Sequence, residues 1–164
     1  MSFEGSSLWR VRQKVGTDLL LWPGATVLVE DADRRILLGL RRDNGEWAMP
    51  GGGAEEGGSF ASTAIAELHE EVGLEADVAD LIAFACVSEP ADHVIPYPNG
   101  DLTHYFGIWF LLRRWRGEPV ADGDELMELG WFPRDDRPAP LMHSSAVALA
   151  HYERFLETGA FQIG

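Results

Sequence analysis

Three carboxylates, Glu67, Glu70 and Glu71, follow a run of three glycines, Gly51, Gly52 and Gly53, and no lysine or arginine lies between Ser59 and Val72. On a helix, offsets of three and four residues bring such side chains onto one face within about one turn. Like charges so placed cost an isolated helix about 0.2–0.5 kcal/mol per pair, and carboxylates towards its C-terminal end also oppose the macrodipole. Local rules broken in this way point to a site, and hard cations such as Mg2+ take oxygen ligands of this kind. A solvated acidic face is the competing reading for a helix met without context. The glycines weigh against it, because a triple glycine is costly in backbone entropy and signals a tight loop or a close backbone approach to a ligand.

The helix that must carry the carboxylates is expected from Phe60 to Val72, with Ser59 as N-cap, Gly73 as the C-terminal stop and Ile65, Leu68 and Val72 facing a core. The segment from Gly52 to Leu74 resembles the signature of the Nudix hydrolases: a glycine, five residues, Glu, seven residues, Arg-Glu, an aliphatic residue, any residue, Glu-Glu, any residue, Gly and an aliphatic residue. Gly52, Glu67, Leu68, Glu70, Glu71, Gly73 and Leu74 fall on fixed positions, and Trp47-Ala48-Met49-Pro50-Gly51-Gly52-Gly53 resembles the family's approach to them. Two positions depart: Gly58 stands where the family has its first glutamate, and Ala66 where it has arginine. In the family those two side chains commonly pair and brace the loop against the helix. Losing one partner strands a charge, whereas losing both is close to neutral, so the joint absence points to an altered brace, with Glu56 a candidate substitute.

The resemblance implies an α/β sandwich with a mixed sheet, and hydrolysis of the diphosphate linkage in a nucleoside diphosphate derivative. It also implies Mg2+ or Mn2+ held by Glu67, Glu70 and Glu71, one of the glutamates acting as general base without its identity being fixed. Family members often recruit a further carboxylate downstream; Glu128 is the first candidate and Glu125 the second. The alternative is a Nudix-fold nucleotide-binding or regulatory domain that lost turnover with Gly58 and Ala66. Family analogy also allows a homodimer.

Composition sets the outer bounds. A chain of 164 residues, 46% hydrophobic, suffices for one domain with a core, expected over 1–164 with a short N-terminal extension to about residue 20. A net charge of −14 argues against nucleic-acid binding and repels anionic substrates, so a phosphate ester would need metal ions and a local basic cluster. Arg41 and Arg42 before the glycines, and Arg113, Arg114 and Arg116 later, are candidates for that cluster. Tyr97, Trp47 and Tyr105 are candidates to stack on a base or line a pocket. His69 adjoins the acidic face, but the histidines show no metal-ligand spacing, and Cys86, the single cysteine, reads as a core residue. No apolar h-region opens the chain and no stretch is long enough to span a bilayer, so a cytoplasmic location without membrane contact is expected.

Around the helix, Thr26 to Glu30 and Ile36 to Arg41 look like a hairpin joined by Asp31-Ala32-Asp33. Strands are expected at Leu81 to Val87, His104 to Leu112 and Glu128 to Phe132, with a proline-bearing loop from Ser88 to Pro98. Ser144 to Glu157 reads as a second helix with Val147, Ala150 and Phe155 inward.

Overall fold

The computed structural model describes residues 4–97 and 99–164, so Met1 to Phe3 and Pro98 of the expected loop lie outside the described residues. The elements are α1 (Ser7–Val15), β1 (Leu20–Val29), β2 (Arg35–Arg41), β3 (Trp47–Ala48), β4 (Gly51–Gly53), α2 (Phe60–Val72), β5 (Ile82–Val87), α3 (Pro90–His93), β6 (Val94–Pro96), β7 (Leu102–Leu112), β8 (Leu126–Pro133), α4 (His143–Thr158) and β9 (Gln162–Ile163). One mixed sheet runs β4-β1-β7-β5-β9 with β6 beside β7, and a second, antiparallel sheet runs β3-β2-β8. The expected α/β architecture with a mixed sheet is the one observed.

The apolar run of β7 has a central strand's burial pattern: Trp109 and Leu111 enter one core, Phe110 and Leu112 the other. The first core is closed by Ala148, Leu149 and Tyr152 of α4, the second by Ala64, Leu68 and Val72 of α2. The two helices therefore cover opposite faces. On α4 the buried residues are Ser145, Ala148, Leu149 and Tyr152, a spacing that turns the expected inward Ala150 out to solvent, while Val147 and Phe155 pack at the margin.

The expected hairpin does not form as a pair. Asp31 Oδ1 accepts from the N–H groups of Asp33 and Arg35 at 2.9 and 2.8 Å, making a tight turn, but only a Glu30–Ile36 bridge joins its arms. Both edges of β1 are taken, by β7 along its whole length and by β4 at Gly24 to Thr26, so β2 pairs with β3 and β8 instead. The expected loop after Ser88 holds the helical turn α3 and the edge strand β6, paired with β7 from Val94 to Pro96. The glycine run is itself a strand, β4, rather than a loop. No helix among the described residues is long and apolar enough to cross a membrane.

The N-terminal extension contains an unexpected helix, α1, whose N-cap Ser6 accepts from Trp9 N–H at 3.1 Å. Arg12, only 6% exposed, anchors it by donating to the carbonyls of Gly16, Asp18 and Leu102 and to Thr103 Oγ1.

Candidate active site

The acidic helix keeps its expected bounds. Ser59 Oγ accepts from Ser62 N–H at 3.1 Å and Ser62 Oγ from Ser59 N–H at 2.8 Å, a reciprocal cap that satisfies two otherwise orphan donors. Gly73, at φ 68°, ends the helix in the left-handed region and donates to His69 O. The core-facing stripe is Ala64, Leu68 and Val72, and Ile65 is only half-buried. This stripe rolls the carboxylates into graded environments: Glu70 is exposed, Glu67 half-buried and Glu71 3% exposed.

Both inner carboxylates meet the glycine strand. Glu71 Oε2 accepts from Gly51 N–H at 2.8 Å. Glu67 fills the space that a side chain on Gly52 would need: a Cβ there would sit 2.4 Å from Glu67 Oε1. A Cβ on Gly51 would meet Ala25 O at 2.6 Å, and one on Gly53 would meet Trp22 Nε1 at 2.6 Å. The glycine run thus answers to close approach on three sides, one of them a carboxylate.

Burial, and then Glu70 and Glu125, push the Glu67 carboxyl up to about 7. Burial, and then Glu67, push Glu71 up to about 8, against the favourable Gly51 hydrogen bond and Arg41. The expected ligand triad does not close as it stands, for no three His, Cys, Asp or Glu among the described residues converge tightly enough to hold a metal. The physical reason is the roll of the helix on its core stripe together with the Gly51 bond, which leave the three carboxylates at different depths. Their donor chemistry nevertheless fits a hard cation: clustered oxygens whose charged forms are disfavoured by burial and by one another.

Of the downstream carboxylates, Glu125 rather than Glu128 adjoins the cluster. In the β2–β8 ladder Glu128 pairs with Leu40 and Leu126 with Arg41, with the register shifting between them. Directly opposed residues share a face, and Leu126 belongs to the core under α2, so Glu128 projects from the other side of the sheet. Glu125, just before β8, acts electrostatically on both Glu67 and Glu71. Although the residue is exposed, its carboxyl is desolvated enough for its pKa to rise, against the pull of Arg41.

Arg41 lies within the field of Glu71 and Glu125 and donates to both oxygens of Asp43 at 2.9 and 2.8 Å. Arg42 is directed elsewhere: its guanidinium donates to Gly123 O and Asp124 O, and its N–H to Glu125 O at 2.9 Å, so it holds the turn that carries Glu125. The other expected cluster members pair with their own acids, Arg113 with Glu30, Arg114 with Asp80 and Arg116 with Asp77.

Tyr105 and Tyr97 join hydroxyl to hydroxyl at 3.2 Å, and Tyr105 lies within the field of Arg41 and Glu67. Trp47 instead packs edge-on against Phe132 at 4.9 Å, at the core under α4. Glu56 does not replace the missing brace carboxylate, because it is exposed and turned to Arg10 at 3.5 Å.

The NUDIX domain model matches residues 20–152. The chain belongs to the Nudix family. An RNA pyrophosphohydrolase of Roseobacter denitrificans is 32% identical over 126 residues, covering 70% of this chain and 78% of that protein. Another from Sphingopyxis alaskensis is 40% identical over 99 residues, covering 56% of this chain and 61% of its own length, less than two thirds of that relative. A MutT NUDIX hydrolase from Burkholderia pseudomallei superposes with a TM-score of 0.68 at 28% identity, covering 80% of this chain and 97% of that one. Nudix hydrolases generally use divalent metal ions.

Proposed function

We propose that this Nudix hydrolase, acting as a single domain, cleaves the diphosphate linkage of a small nucleoside diphosphate derivative with Mg2+, or Mn2+ in its place, held by Glu67, Glu70 and Glu71. The observation that carries the proposal is the packing of Glu67 and Glu71 against Gly52 and Gly51, which keeps two mutually repelling carboxylates together where burial disfavours their charge. Bound among them, the cation supplies neutralisation of the diphosphate oxygens and a lowered pKa for water.

The chain's own residues do the rest. Gly51 N–H fixes one oxygen of Glu71, leaving the other for a ligand. Glu125, with its raised pKa and its coupling to Glu67 and Glu71, is suited to take a proton from the attacking water. Arg41, tied to Asp43, presents positive charge beside this group. The Tyr97–Tyr105 pair forms an aromatic edge suited to the nucleoside.

The names of the two curated relatives favour a second reading, in which the substrate is the 5′-terminal pyrophosphate of an RNA. A net charge of −14 weighs against it, since nucleic-acid backbones are held by basic surfaces. The test is incubation with Mg2+ and ADP-ribose, nucleotide sugars, dinucleoside polyphosphates, nucleoside triphosphates or a 5′-triphosphorylated RNA. Metal-dependent release of phosphorylated products from the small compounds supports the first reading, and exclusive turnover of the RNA supports the second. Unchanged Mg2+ affinity after Glu70→Gln and Glu71→Gln would reject the metal assignment.

A further inference from the structure

We infer that helix α1, through Ser7 and Glu55, is the brace of the segment joining β4 to α2, in place of the side-chain pair that Gly58 and Ala66 cannot make. The inference rests on reading Glu67, Glu70 and Glu71 as the metal platform. The segment needs a brace because Gly57 and Gly58 make it conformationally permissive, and Gly57 sits at φ 82°. Its first end carries Gly51 and Gly52, in contact with Glu71 and Glu67, and its second leads into the helix bearing both.

The clamp is specific. Ser7, 4% exposed, donates its N–H to both Glu55 oxygens at 3.0 Å and its hydroxyl to Glu55 Oε2 at 2.6 Å. Ser7 Oγ also accepts from Glu56 N–H at 3.3 Å and from Arg10 Nη2 at 2.9 Å, and Arg10 pairs with Glu56 at 3.5 Å. A carboxylate at a helix N-terminus meets both orphan N–H groups and the positive end of the dipole. The far end of α1 is equally fixed, by Arg12 on the opening of β7 and beside Asp101 at 3.5 Å. Since β7 pairs with β1 and β1 with β4, the helix ties the flexible segment back to the sheet that holds the glycine strand. At the vacated positions, the nearest atom to a Cβ on Gly58 would be Glu55 O at 3.0 Å, and Ala66 is exposed.

The test uses the full chain with Glu55→Ala, Glu55→Gln, Arg12→Ala and Glu55→Ala combined with Gly58→Glu and Ala66→Arg. Mn2+ affinity is measured by calorimetry, hydrogen exchange over residues 54–58 by mass spectrometry, and turnover on the best substrate. Glu55→Ala should weaken Mn2+ binding about tenfold and speed exchange in the segment, with Glu55→Gln falling between it and wild type. Arg12→Ala, which leaves the segment's own residues intact, should weaken Mn2+ binding by a smaller factor. Restoring the Glu/Arg pair in the Glu55→Ala background should recover most of the loss, which a merely destabilised fold would not allow. Wild-type Mn2+ affinity in both Glu55→Ala and Arg12→Ala, or failure of the restored pair to recover binding in folded protein, overturns the brace. Wild-type protein that binds Mn2+ but hydrolyses no diphosphate defeats the proposed function instead, while absence of Mn2+ binding by wild type defeats both.

Discussion

Glu71→Gln should make the metal-free protein more stable at neutral and alkaline pH while weakening its response to Mg2+. Glu71 is buried, and its carboxyl is pushed up to about 8, first by desolvation and then by Glu67. In the unfolded chain the same group titrates near 4.5. A pKa raised on folding means that the native state holds the proton more tightly, so its contribution is fully present below about pH 4.5 and is lost as pH rises through about 8. At about 1.4 kcal/mol per pH unit, the interval from 4.5 to 7 corresponds to about 3 kcal/mol, and the whole interval to about 5 kcal/mol. Glutamine keeps an oxygen to accept from Gly51 N–H and carries no charge, so it should remove this slope. Urea unfolding in chelator at several pH values between about 5 and 8.5, wild type against variant, isolates the Glu71 contribution from the histidines, whose protons cancel in the difference. Repeated in Mg2+, the wild-type slope should flatten or invert, because binding selects the deprotonated carboxylates, and the variant should respond less. Parallel pH profiles for the two proteins in chelator would refute the account of a buried, repelled carboxylate.

Three further outcomes follow from the same geometry. Gly52→Ala places a methyl 2.4 Å from Glu67 Oε1, and should cost about tenfold in Mn2+ affinity by calorimetry while folding is retained, since the displaced group is the end of a side chain. Glu125→Gln should lower kcat by about a hundredfold and remove one ionisation from its pH profile, whereas Glu128→Gln, on the other face of β8, should stay within about twofold in steady-state assays. Leu68→Ala, at the centre of the core stripe of α2, should lose about 2–5 kcal/mol in urea unfolding.

What the sequence made legible follows physical range. The bounds of α2, its Ser59 cap and its Gly73 stop are local chemistry and stand where the residues imply. Pairing partners are not local: Thr26 to Glu30 and Ile36 to Arg41 carry the marks of a hairpin, yet β1 pairs with β4 and with β7, some eighty residues later, and β2 with β3 and β8. The choice between Glu125 and Glu128 turned on a register shift after Leu40, which reverses a face without leaving a trace in composition. Glu55 carries no local mark of its role, because its partner, Ser7, is 48 residues away. The serine pair before Leu8, Val11 and Val15 was the available signal for a capped helix there.

The arrangement of the arginines supports the role of the divalent cation from an independent direction. A chain of charge −14 that acts on a diphosphate needs positive charge at the site, and the side chains expected to supply it are already engaged. Arg113, Arg114 and Arg116 are neutralised by Glu30, Asp80 and Asp77, Arg42 is spent on backbone carbonyls, and Arg41 shares its charge with Asp43 while facing Glu71 and Glu125. With most of these arginines so engaged, the proposed function leaves much of the neutralisation of the substrate to ions drawn from solution, which a strongly acidic surface concentrates. On the proposed function the same surface field would discriminate by length: a short diphosphate would be neutralised within the cluster, whereas each further phosphate of a polymer would lie outside it against like charge. On the proposed function, the buried, mutually repelling pair Glu67 and Glu71 and the overall acidity would act together, since carboxylates that burial and repulsion disfavour as charged groups would favour a compact anion delivered with its metal.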